Sequence, residues 1–386
     1  MRVPSNESLD AGGAEAAPAP VAVQFVHGQV MQRKGEHLAI AAQENVESHV
    51  GAGWRDVHLL HEALPRVDLA AVDLSVEFLG RRLRAPLIIS AMTGGHPAAR
   101  EINARLGRAA QRHGLAMGVG SQRAALRSPG LADTYRVARE AAPDQLLVAN
   151  LGAAQLVPQD SGEPLHPEQV REAVTMIGAD ALAIHLNFLE EVVQTEGDRR
   201  VTGLREALAA VVAEAPVPVI AKETGAGLSR RAAVELAGLG FRALDVGGLG
   251  GTSFAAVEAA RARARGDRRG AGLGDIYRDW GIPTAVSVVA AAGTGLPVIA
   301  TGGVRTGLDA ARAMALGAHL VGVARPLLTA ALEGETALDV WIERFLEELR
   351  VAVFLTGGAR AADLRSTPKV ITGETRRWLD DLGYLG

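Results

Sequence analysis

The stretch ALAIHLNFLEEVVQTEGD, residues 181–198, has the form of a buried strand that ends in a polar loop. Its first part is apolar, and His185 and Asn187 then follow two residues apart. Alternate residues of a strand point to the same side, so these two side chains are predicted to face one cavity. Carboxylates follow on the predicted loop, at Glu190 and Glu191. A solvated acidic turn after a core strand is the alternative interpretation, and the rest of the chain argues against it.

Seven further apolar runs have the same form, each ending in glycine or polar residues. They are PLIISAMTGG (86–95), AMGVGSQR (116–123), LLVANLG (146–152), PVIAKETG (218–225), ALDVGGLGG (243–251), PVIATGG (297–303) and LVGVA (320–324). Alanine-rich segments with helical spacing, such as GLDAARAMALG (307–317), separate the runs. Strand and helix alternating over about 240 residues predict an α/β protein, a single-domain (β/α)8 TIM barrel. A doubly wound open sheet is the alternative, but the G-x-G-x-x-G motif after the first strand is missing.

The composition narrows the class of protein. The chain has 386 residues, 48% of them hydrophobic, which is enough for a large buried core. Its net charge of −4 offers no basic field for nucleic acid or an anionic membrane. It contains no cysteine, which excludes disulfides, thiolate metal sites and cysteine nucleophiles. Neither a secretion signal nor an apolar run of about 18 residues is present, so we expect a cytoplasmic protein with no nucleic-acid or membrane partner.

The N-terminal region divides into two parts. Residues 1–26, with AGGAEAAPAP in their middle, carry few large apolar groups and are predicted to be a disordered leader. The barrel domain is then assigned to residues 27–386, with an N-terminal helical extension predicted over residues 31–49.

Three basic residues of this helix, Arg33, Lys34 and His37, lie on one side because they are one and four residues apart. Such a cluster suits a diphosphate, which takes several charge-assisted contacts, although a solvated helix face has the same pattern. The chain has 37 arginines and only three lysines, at Lys34, Lys222 and Lys369. A lysine retained in such a chain is a candidate for chemistry that arginine does not provide.

Active sites of (β/α)8 barrels lie at the carboxyl ends of the strands, and polar residues follow every predicted strand here. In chain order these residues are Met92 and Thr93, then Ser121, Gln122 and Arg123, then Asn150, His185 and Asn187, then Lys222, Thr252, Arg305 and Arg325. Eight polar strand ends out of eight favour a functional cavity over chance.

Two glycine-rich turns predict a phosphate site at this end of the barrel. TGGVRTGLDAARAMALG, from residue 301, combines Gly302 and Gly303 with Arg305 and with a helix predicted to start near Leu308. GGLGGTSF, residues 247–254, forms the second turn. Two such turns suggest a nucleotide-like ligand with one phosphate, such as FMN. Lys222 would then lie beside the flavin N1 and C2 carbonyl.

Taken together, nine fragments resemble the type 2 isopentenyl diphosphate isomerases. They are RKGEH (33–37), MTGG (92–95), VGSQR (119–123), ANLGAAQL (149–156), HLN (185–187), EGDR (196–199), KETGAG (222–227), GGT (250–252) and WGIPTA (280–285). The resemblance covers about residues 30 to 360. It implies a barrel flavoprotein, a homotetramer or homo-octamer, that isomerises isopentenyl and dimethylallyl diphosphates with Mg²⁺ and reduced FMN, with NAD(P)H as the external reductant.

The resemblance also implies a role for individual residues. It assigns FMN binding to Ala91, Met92, Thr93, Ser121, Asn150, Lys222, Thr252, Gly302, Gly303, Arg305, Ala324 and Arg325. It assigns the diphosphate to Arg33, Lys34, His37, Arg123, His185 and Asn187, and Mg²⁺ to Glu191. Lys369 matches no motif and is expected to be solvated.

The departures from the family pattern lie in the central stretch. The family often has HLNPxQE, whereas this chain has HLNFLEE, with Phe188 in place of proline and Glu190 in place of an essential glutamine. A carboxyl can exchange a proton and an amide cannot, so Glu190 is predicted to be a catalytic acid and base together with His185 and Asn187. Three functions stay open: an ordinary isomerase, a relative that isomerises or cyclises a longer prenyl diphosphate or polyene, and a non-catalytic flavin-binding protein.

Overall fold

The computed structural model describes residues 29–160 and 162–385, apart from the side chains of residues 29–33 and 43. The predicted leader and the side chain of Arg33 therefore lie outside the described residues. Within these ranges, no helix combines the length and the apolar character needed to cross a membrane.

The chain forms a closed parallel barrel with two small antiparallel sheets beside it. Strands β1 (Val57–Leu59), β2 (Val76–Phe78) and β3 (Arg81–Leu83) precede the barrel, and β12 (Lys369–Ile371) follows it. The barrel strands are β4 (Leu87–Ile89), β5 (Ala116–Gly118), β6 (Leu147–Gly152), β7 (Ala181–Leu186), β8 (Val219–Glu223), β9 (Ala243–Asp245), β10 (Val298–Thr301) and β11 (Leu320–Val323). Each lies within one of the eight predicted runs, and β11 pairs with β4 to close the ring. The predicted (β/α)8 fold is confirmed.

The barrel strands are apolar along most of their length because helices cover one face and the barrel interior buries the other. All three residues of β4 are buried, as are the first four of β7. The β2–β3 hairpin adds Phe78 and Leu83 to the interior cluster, where they join Ile88, Ile220 and Ile299. This cluster fills the barrel interior, so ligands are left with the carboxyl ends of the strands.

Helices alternate with these strands and continue to the C-terminus. Their bounds are α1 Gln29–Gln43, α2 Pro97–His113, α3 Arg123–Arg127, α4 Asp133–Ala141, α5 Pro167–Met176, α6 Phe188–Val193, α7 Leu204–Glu214, α8 Arg230–Gly238, α9 Phe254–Ala264, α10 Arg268–Ile276, α11 Thr284–Ala292, α12 Gly307–Ala315, α13 Arg325–Glu333, α14 Glu335–Leu355 and α15 Gly373–Asp381.

The predicted N-terminal helix ends earlier than expected, at Gln43 instead of residue 49. The residues that follow pair with the barrel's loops instead: Ser48 N–H donates to Gly251 O at 2.9 Å, and Ser253 N–H donates to Val46 O at 2.8 Å. Backbone hydrogen bonds to the turn after β9 have replaced those that would continue the helix. Residues 44–48, named the strap from here on, thus lie across the top of the barrel.

A small sheet beside the barrel joins a segment before the first barrel strand to a segment after the last one. Strand β1 pairs antiparallel with β12, in the register Val57 with Ile371 and Leu59 with Lys369. Lys369 itself is exposed on this small sheet, as the sequence predicted.

Candidate active site

A cavity of about 240 Å³ opens at the carboxyl ends of the barrel strands. Residues after all eight strands and residues of α1 line it. Every predicted site residue whose side chain is described contributes to the lining: Lys34, His37, Ala91, Met92, Thr93, Ser121, Arg123, Asn150, His185, Asn187, Glu190, Glu191, Lys222, Thr252, Gly302, Gly303, Arg305, Ala324 and Arg325.

One side of the cavity is built from backbone, because five glycines line it. This glycine wall consists of Gly247, Gly248, Gly251, Gly302 and Gly303. Gly302 has a φ of +122°, and a Cβ added there would lie 2.2 Å from Gly248 O. A Cβ on Gly303, at a φ of +64°, would lie 2.4 Å from Gly250 O. The two predicted turns therefore pack backbone against backbone, an approach that a side chain would prevent.

Helix α12 begins beside the glycine wall, at Gly307, one residue before the predicted start. Thr306 Oγ1 accepts a hydrogen bond from Asp309 N–H at 3.1 Å, and Asp309 Oδ2 accepts one from Thr306 N–H at 3.1 Å. This capping box fixes the first turn of α12, whose positive end faces the cavity rim.

Two buried hydroxyls lie at the inner end of the same side. Neither Ser90 Oγ nor Thr301 Oγ1 has a hydrogen-bond partner in the described part of the chain. Both face Gly322, where an added Cβ would lie 2.2 Å from Thr301 Oγ1 and 2.6 Å from Ser90 Oγ. Unsatisfied buried hydroxyls cost free energy, and the edge of a polar heterocycle would satisfy them.

Lys222, near the end of β8, faces the cavity but is held by an acid that the sequence interpretation missed. Its Nζ donates to Asp245 Oδ2 at 2.8 Å and to Glu223 O at 3.2 Å. Glu223 Oε2 in turn accepts backbone N–H bonds from residues 225, 226 and 227, at 2.6, 2.6 and 2.9 Å. The lysine is thereby positioned as a fixed cation in the cavity wall.

His185 is oriented from the neighbouring strand. Its Nδ1 lies 2.8 Å from Asn150 Oδ1, and Asn150 Nδ2 donates to Val119 O at 3.1 Å. Since Asn150 uses its amide N–H on Val119, its Oδ1 accepts a hydrogen bond from His185 Nδ1–H, which assigns the imidazole tautomer. Gln122 fixes this arrangement in turn, because its Oε1 accepts from Asn150 N–H at 3.0 Å.

The acidic stretch after β7 is a helix, α6, and the predicted loop is wrong. The bonds from Glu191 N–H to Asn187 O and from Gln194 N–H to Glu190 O, each 3.0 Å, have helical spacing. Asn187 Nδ2 donates to Glu190 Oε2 at 3.0 Å and to Glu191 Oε1 at 3.1 Å. The buried Glu191 also accepts from Asp198 N–H at 2.8 Å. One amide thus bridges both predicted carboxylates.

A second amide links Glu190 to an acid from α9. Gln194 Nε2 donates to Glu190 Oε1 at 3.0 Å and to Glu258 Oε1 at 2.8 Å. His37 Nε2 lies 2.5 Å from the same Glu258 oxygen, and Arg261 Nη1 donates to Glu258 Oε2 at 3.0 Å. His37, Glu190, Gln194 and Glu258 are named the acid network from here on.

Glu258 is ionised in this network. Burial alone would raise the pKa of its carboxyl, but the charges and hydrogen bonds of His37 and Arg261 outweigh burial and lower it to about 2. His37, which the sequence analysis assigned to the diphosphate, therefore lies in an ion pair with a buried carboxylate when protonated.

Among the described residues, His37, Glu190 and Glu258 form the cluster of metal-ligating side chains, with one atom of each within 4.8 Å of the others. Glu191, the predicted Mg²⁺ ligand, is not part of it. A single carboxylate with substrate oxygens is nevertheless a usual environment for Mg²⁺, which retains several other ligands.

The remaining predicted cations also have protein contacts. Arg123 Nη1 donates to Asp198 Oδ2 at 2.7 Å, and Gln155 Nε2 donates to the same oxygen at 3.3 Å. Lys34 Nζ donates to Ser121 O at 3.4 Å. Both cations line the cavity.

Arg305 and Arg325 meet over one carboxylate of the strap. Glu47 Oε1 lies 2.6 Å from Arg305 Nη2 and 3.3 Å from Arg325 Nη1. Arg325 also donates from Nε to Ala41 O at 2.8 Å and from Nη2 to Glu44 O at 2.7 Å. The second arginine, predicted to hold FMN, thus also binds the C-terminal end of α1.

The functional residues that the sequence interpretation missed are Gln194, Glu223, Asp245, Glu258 and Arg261. For Gln194 a signal was present, since it follows Glu190 by four residues and would share its side of a helix. For Glu258 and Arg261 the sequence offers only an alanine-rich helix after the second glycine turn, which gives no indication that its inner face carries charge.

Comparison with known proteins gives consistent results. A family model described as FMN-dependent dehydrogenase matches residues 35–128 and 281–371. An isopentenyl-diphosphate delta-isomerase of Methanoregula boonei is 52% identical over 352 residues, which cover 90% of this chain and 96% of that protein. The enzyme of the same name from Methanosarcina barkeri is 46% identical, covering 92% of this chain and 95% of that one. A third, from Thermococcus onnurineus, is 47% identical over 90% of this chain and 93% of its own.

Solved structures support the fold. A mandelate oxidase variant with a monooxide FMN adduct superposes with a TM-score of 0.58 at 18% identity, covering 86% of this chain and 95% of its own. A putative lactate oxidase of Pediococcus acidilactici gives the same TM-score at 16% identity, covering 87% of each chain. At such identities the likeness concerns the barrel alone.

Proposed function

Because this chain belongs to the type 2 isopentenyl-diphosphate delta-isomerase family, we propose that it converts isopentenyl diphosphate to dimethylallyl diphosphate, using reduced FMN and Mg²⁺. Membership makes the chain an isomerase and not a non-catalytic flavin-binding protein. The observation that carries the proposal is a single cavity lined by the glycine wall and by His37 and Glu190 of the acid network.

The residues present fit FMN. The glycine wall leaves room for a phosphate to approach backbone N–H groups, with Arg305 at its edge. The hydroxyls of Ser90 and Thr301 can hydrogen-bond the polar edge of the isoalloxazine. Lys222, fixed by Asp245, offers a positive charge that stabilises an anionic reduced ring. When bound and reduced, FMN would supply an electron-rich heterocycle able to exchange a proton with an alkene.

The opposite side supplies groups for a diphosphate. Lys34 and His37 project from α1 into the cavity, and His185 and Arg123 line it from the barrel. Glu191 is the proposed Mg²⁺ ligand, with substrate oxygens completing the coordination. Arg33 is proposed to join this group from the N-terminal side, so that α1 acts as a lid over the substrate.

Isomerisation moves a double bond by adding a proton to the terminal methylene carbon and removing one from C2. Glu190 is the proposed acid–base group, because its carboxyl lines the cavity and is oriented by Asn187 and Gln194. Asn187 orients Glu190 and Glu191 together. The Nδ1–H group of His185 donates to Asn150, so Nε2 is the ring nitrogen that points away from Asn150. A carboxyl can hold and return the proton, whereas the amide common in the family can only orient its partners.

The test is direct. Purified protein should be yellow and should release FMN, not FAD, on denaturation. After reduction with NAD(P)H or dithionite and addition of Mg²⁺, isopentenyl diphosphate should yield dimethylallyl diphosphate, with deuterium incorporated from D₂O as seen by NMR. Protein without FMN, or holoprotein without product under reducing conditions, would disprove the proposal.

A longer prenyl diphosphate or a polyene is the second candidate substrate, favoured by one observation. The carboxyl of Glu190 lies where the family pattern has an amide. Phe188, in contrast, packs against the hydrophobic core and does not line the cavity. Assays over chain lengths from five to twenty carbons distinguish the two, since an ordinary isomerase turns over the five-carbon substrate fastest. We also propose a homotetramer or homo-octamer, which light scattering on the purified protein measures.

A further inference from the structure

One ionic group joins two parts of the proposed site. The first is the end of the cavity proposed for the cofactor phosphate, and the second is helix α1, proposed to hold the substrate diphosphate. This group is the clasp, consisting of Arg305, Glu47 and Arg325. Glu47 receives both guanidinium groups on one carboxylate oxygen, at 2.6 and 3.3 Å. Arg305 begins the segment after the glycine turn of β10, Arg325 begins α13 after β11, and Glu47 belongs to the strap.

The Arg325 end of the clasp is fastened to α1. The last carbonyls of a helix lack intrahelical partners and carry its partial negative charge. Arg325 donates to one such carbonyl, Ala41 O at 2.8 Å, and to Glu44 O, the first carbonyl of the strap, at 2.7 Å. Lys34 lies seven residues before Ala41, about 10 Å along the same helix. A shift of Arg325 therefore moves the C-terminal end of α1, and with it the position of Lys34 and His37.

The Arg305 end lies beside the glycine wall. Arg305 donates from Nη1 to Val304 O at 3.1 Å and from Nη2 to Glu47. A guanidinium carries five N–H donors, so Nε–H can bind a phosphate while the clasp stays closed. The backbone of the strap is held in the same place, since Ser48 N–H and Val46 O pair with the turn after β9.

We propose that the clasp couples the two ligands, so that a phosphate bound at the glycine wall and a diphosphate bound under α1 strengthen each other's binding. A phosphate fixes Arg305, Arg305 fixes Glu47, and Glu47 with Arg325 fixes the end of α1. Coupling between binding sites is reciprocal, so diphosphate must tighten FMN binding by the same factor. Glu47 and Arg325 are thus positioning residues for substrate binding, an inference that rests on the proposed function.

The experiment titrates FMN into flavin-free full-length protein and follows the quenching of flavin fluorescence, with and without inorganic diphosphate and Mg²⁺. In the wild type, diphosphate is expected to lower the Kd for FMN about 5- to 50-fold. In Glu47→Ala, diphosphate is expected to lower the Kd for FMN less than about twofold, while the Kd for FMN measured without diphosphate stays within about threefold of wild type. Glu44→Ala is the matched control, because its exposed side chain belongs to the same strap and its contact with Arg325 is made by the backbone carbonyl.

Steady-state kinetics separate positioning from a merely structural role. At saturating FMN, Glu47→Ala should raise the KM for isopentenyl diphosphate with less change in kcat, and its melting temperature should match that of Glu44→Ala. The deciding quantity is the Kd for FMN without diphosphate divided by the Kd with diphosphate. A value of one in the wild type, or the wild-type value in Glu47→Ala, would disprove the coupling through the clasp even where product forms normally. Coupling that depends on Glu47 in a protein that forms no dimethylallyl diphosphate would instead support the clasp and disprove the proposed function.

Discussion

The two sides of the cavity are made of different material. The glycine wall is backbone from two glycine-rich turns that pack against each other. The acid network consists of side chains from α1, from α6 and the residue after it, and from α9, and its members His37 and Glu190 line the cavity. The wall tolerates no added Cβ at Gly302 or Gly303. The network depends on charge and hydrogen-bond direction, with Glu258 ionised and Glu190 held by two amides. Substitutions should therefore affect shape on one side and proton chemistry on the other.

The largest effect is expected at Glu190. Replacing it with alanine removes both the proton and the hydrogen bonds to Asn187 and Gln194, and should lower kcat for isopentenyl diphosphate by about 10²–10⁴-fold. Glu190→Gln restores the residue common in the family, but its amide exchanges no proton and offers one acceptor oxygen to the two donors, so kcat should fall by a similar factor. Full activity in both variants would remove Glu190 from the mechanism and leave reduced FMN as the proton donor.

The glycine wall should respond next, in cofactor affinity. Gly302→Ala introduces a strained positive φ and a contact of 2.2 Å with Gly248 O, so the Kd for FMN should rise about 10²-fold. Gly295→Ala is the control, because its φ of +78° gives similar strain but no atom lies within 4 Å of the added Cβ. Equal loss of FMN in both variants would mean that strain, and not crowding of the wall, causes the effect.

A smaller effect is expected for Lys34→Ala. The loss of one charge-assisted contact, roughly 1.5–3 kcal/mol, should raise the KM for isopentenyl diphosphate about 10- to 100-fold and leave the Kd for FMN alone unchanged. Lys369→Ala, at an exposed position of β12, should change neither quantity. An unchanged KM in Lys34→Ala would assign α1 to a solvated surface and not to substrate binding.

The smallest expected effect is a pH dependence of stability. Burial opposes ionisation of Glu258, but His37 and Arg261 lower its pKa from 4.5 to about 2. An acid with a lowered pKa stabilises the fold above its unfolded pKa, and this stabilisation is lost as the pH falls from about 4.5 toward 2. The melting temperature of Glu258→Gln should therefore fall less than that of wild type across this window, by about 2–5 °C. Parallel curves for the two proteins would contradict the ion pair.

The same contrast explains what the sequence could predict. The eight strands and their polar ends are local features, since an apolar run followed by glycine or a polar residue carries its own signal, and all eight were found. Besides helix α6, for which a loop was predicted, three features were not predicted, because each depends on contacts between distant residues. Helix α1 ends at Gln43 because Ser48 pairs with Gly251, and His37 pairs with Glu258, 221 residues away. The charged face of α9, formed by Glu258 and Arg261, can be identified only from the structure, in which α1 and α6 pack against it.

The pairing of β1 with β12 has a consequence for synthesis of the protein. His58 and Thr372, which hydrogen-bond beside this pair, are 314 positions apart. A ribosome adding about 5–20 residues per second leaves β1 without its partner for roughly 16–63 s. During that time the nascent chain exposes a strand edge, which is the feature most prone to association with other chains. Chains released before residue 369 should therefore be captured by chaperones or proteases even though all eight barrel strands have already been made.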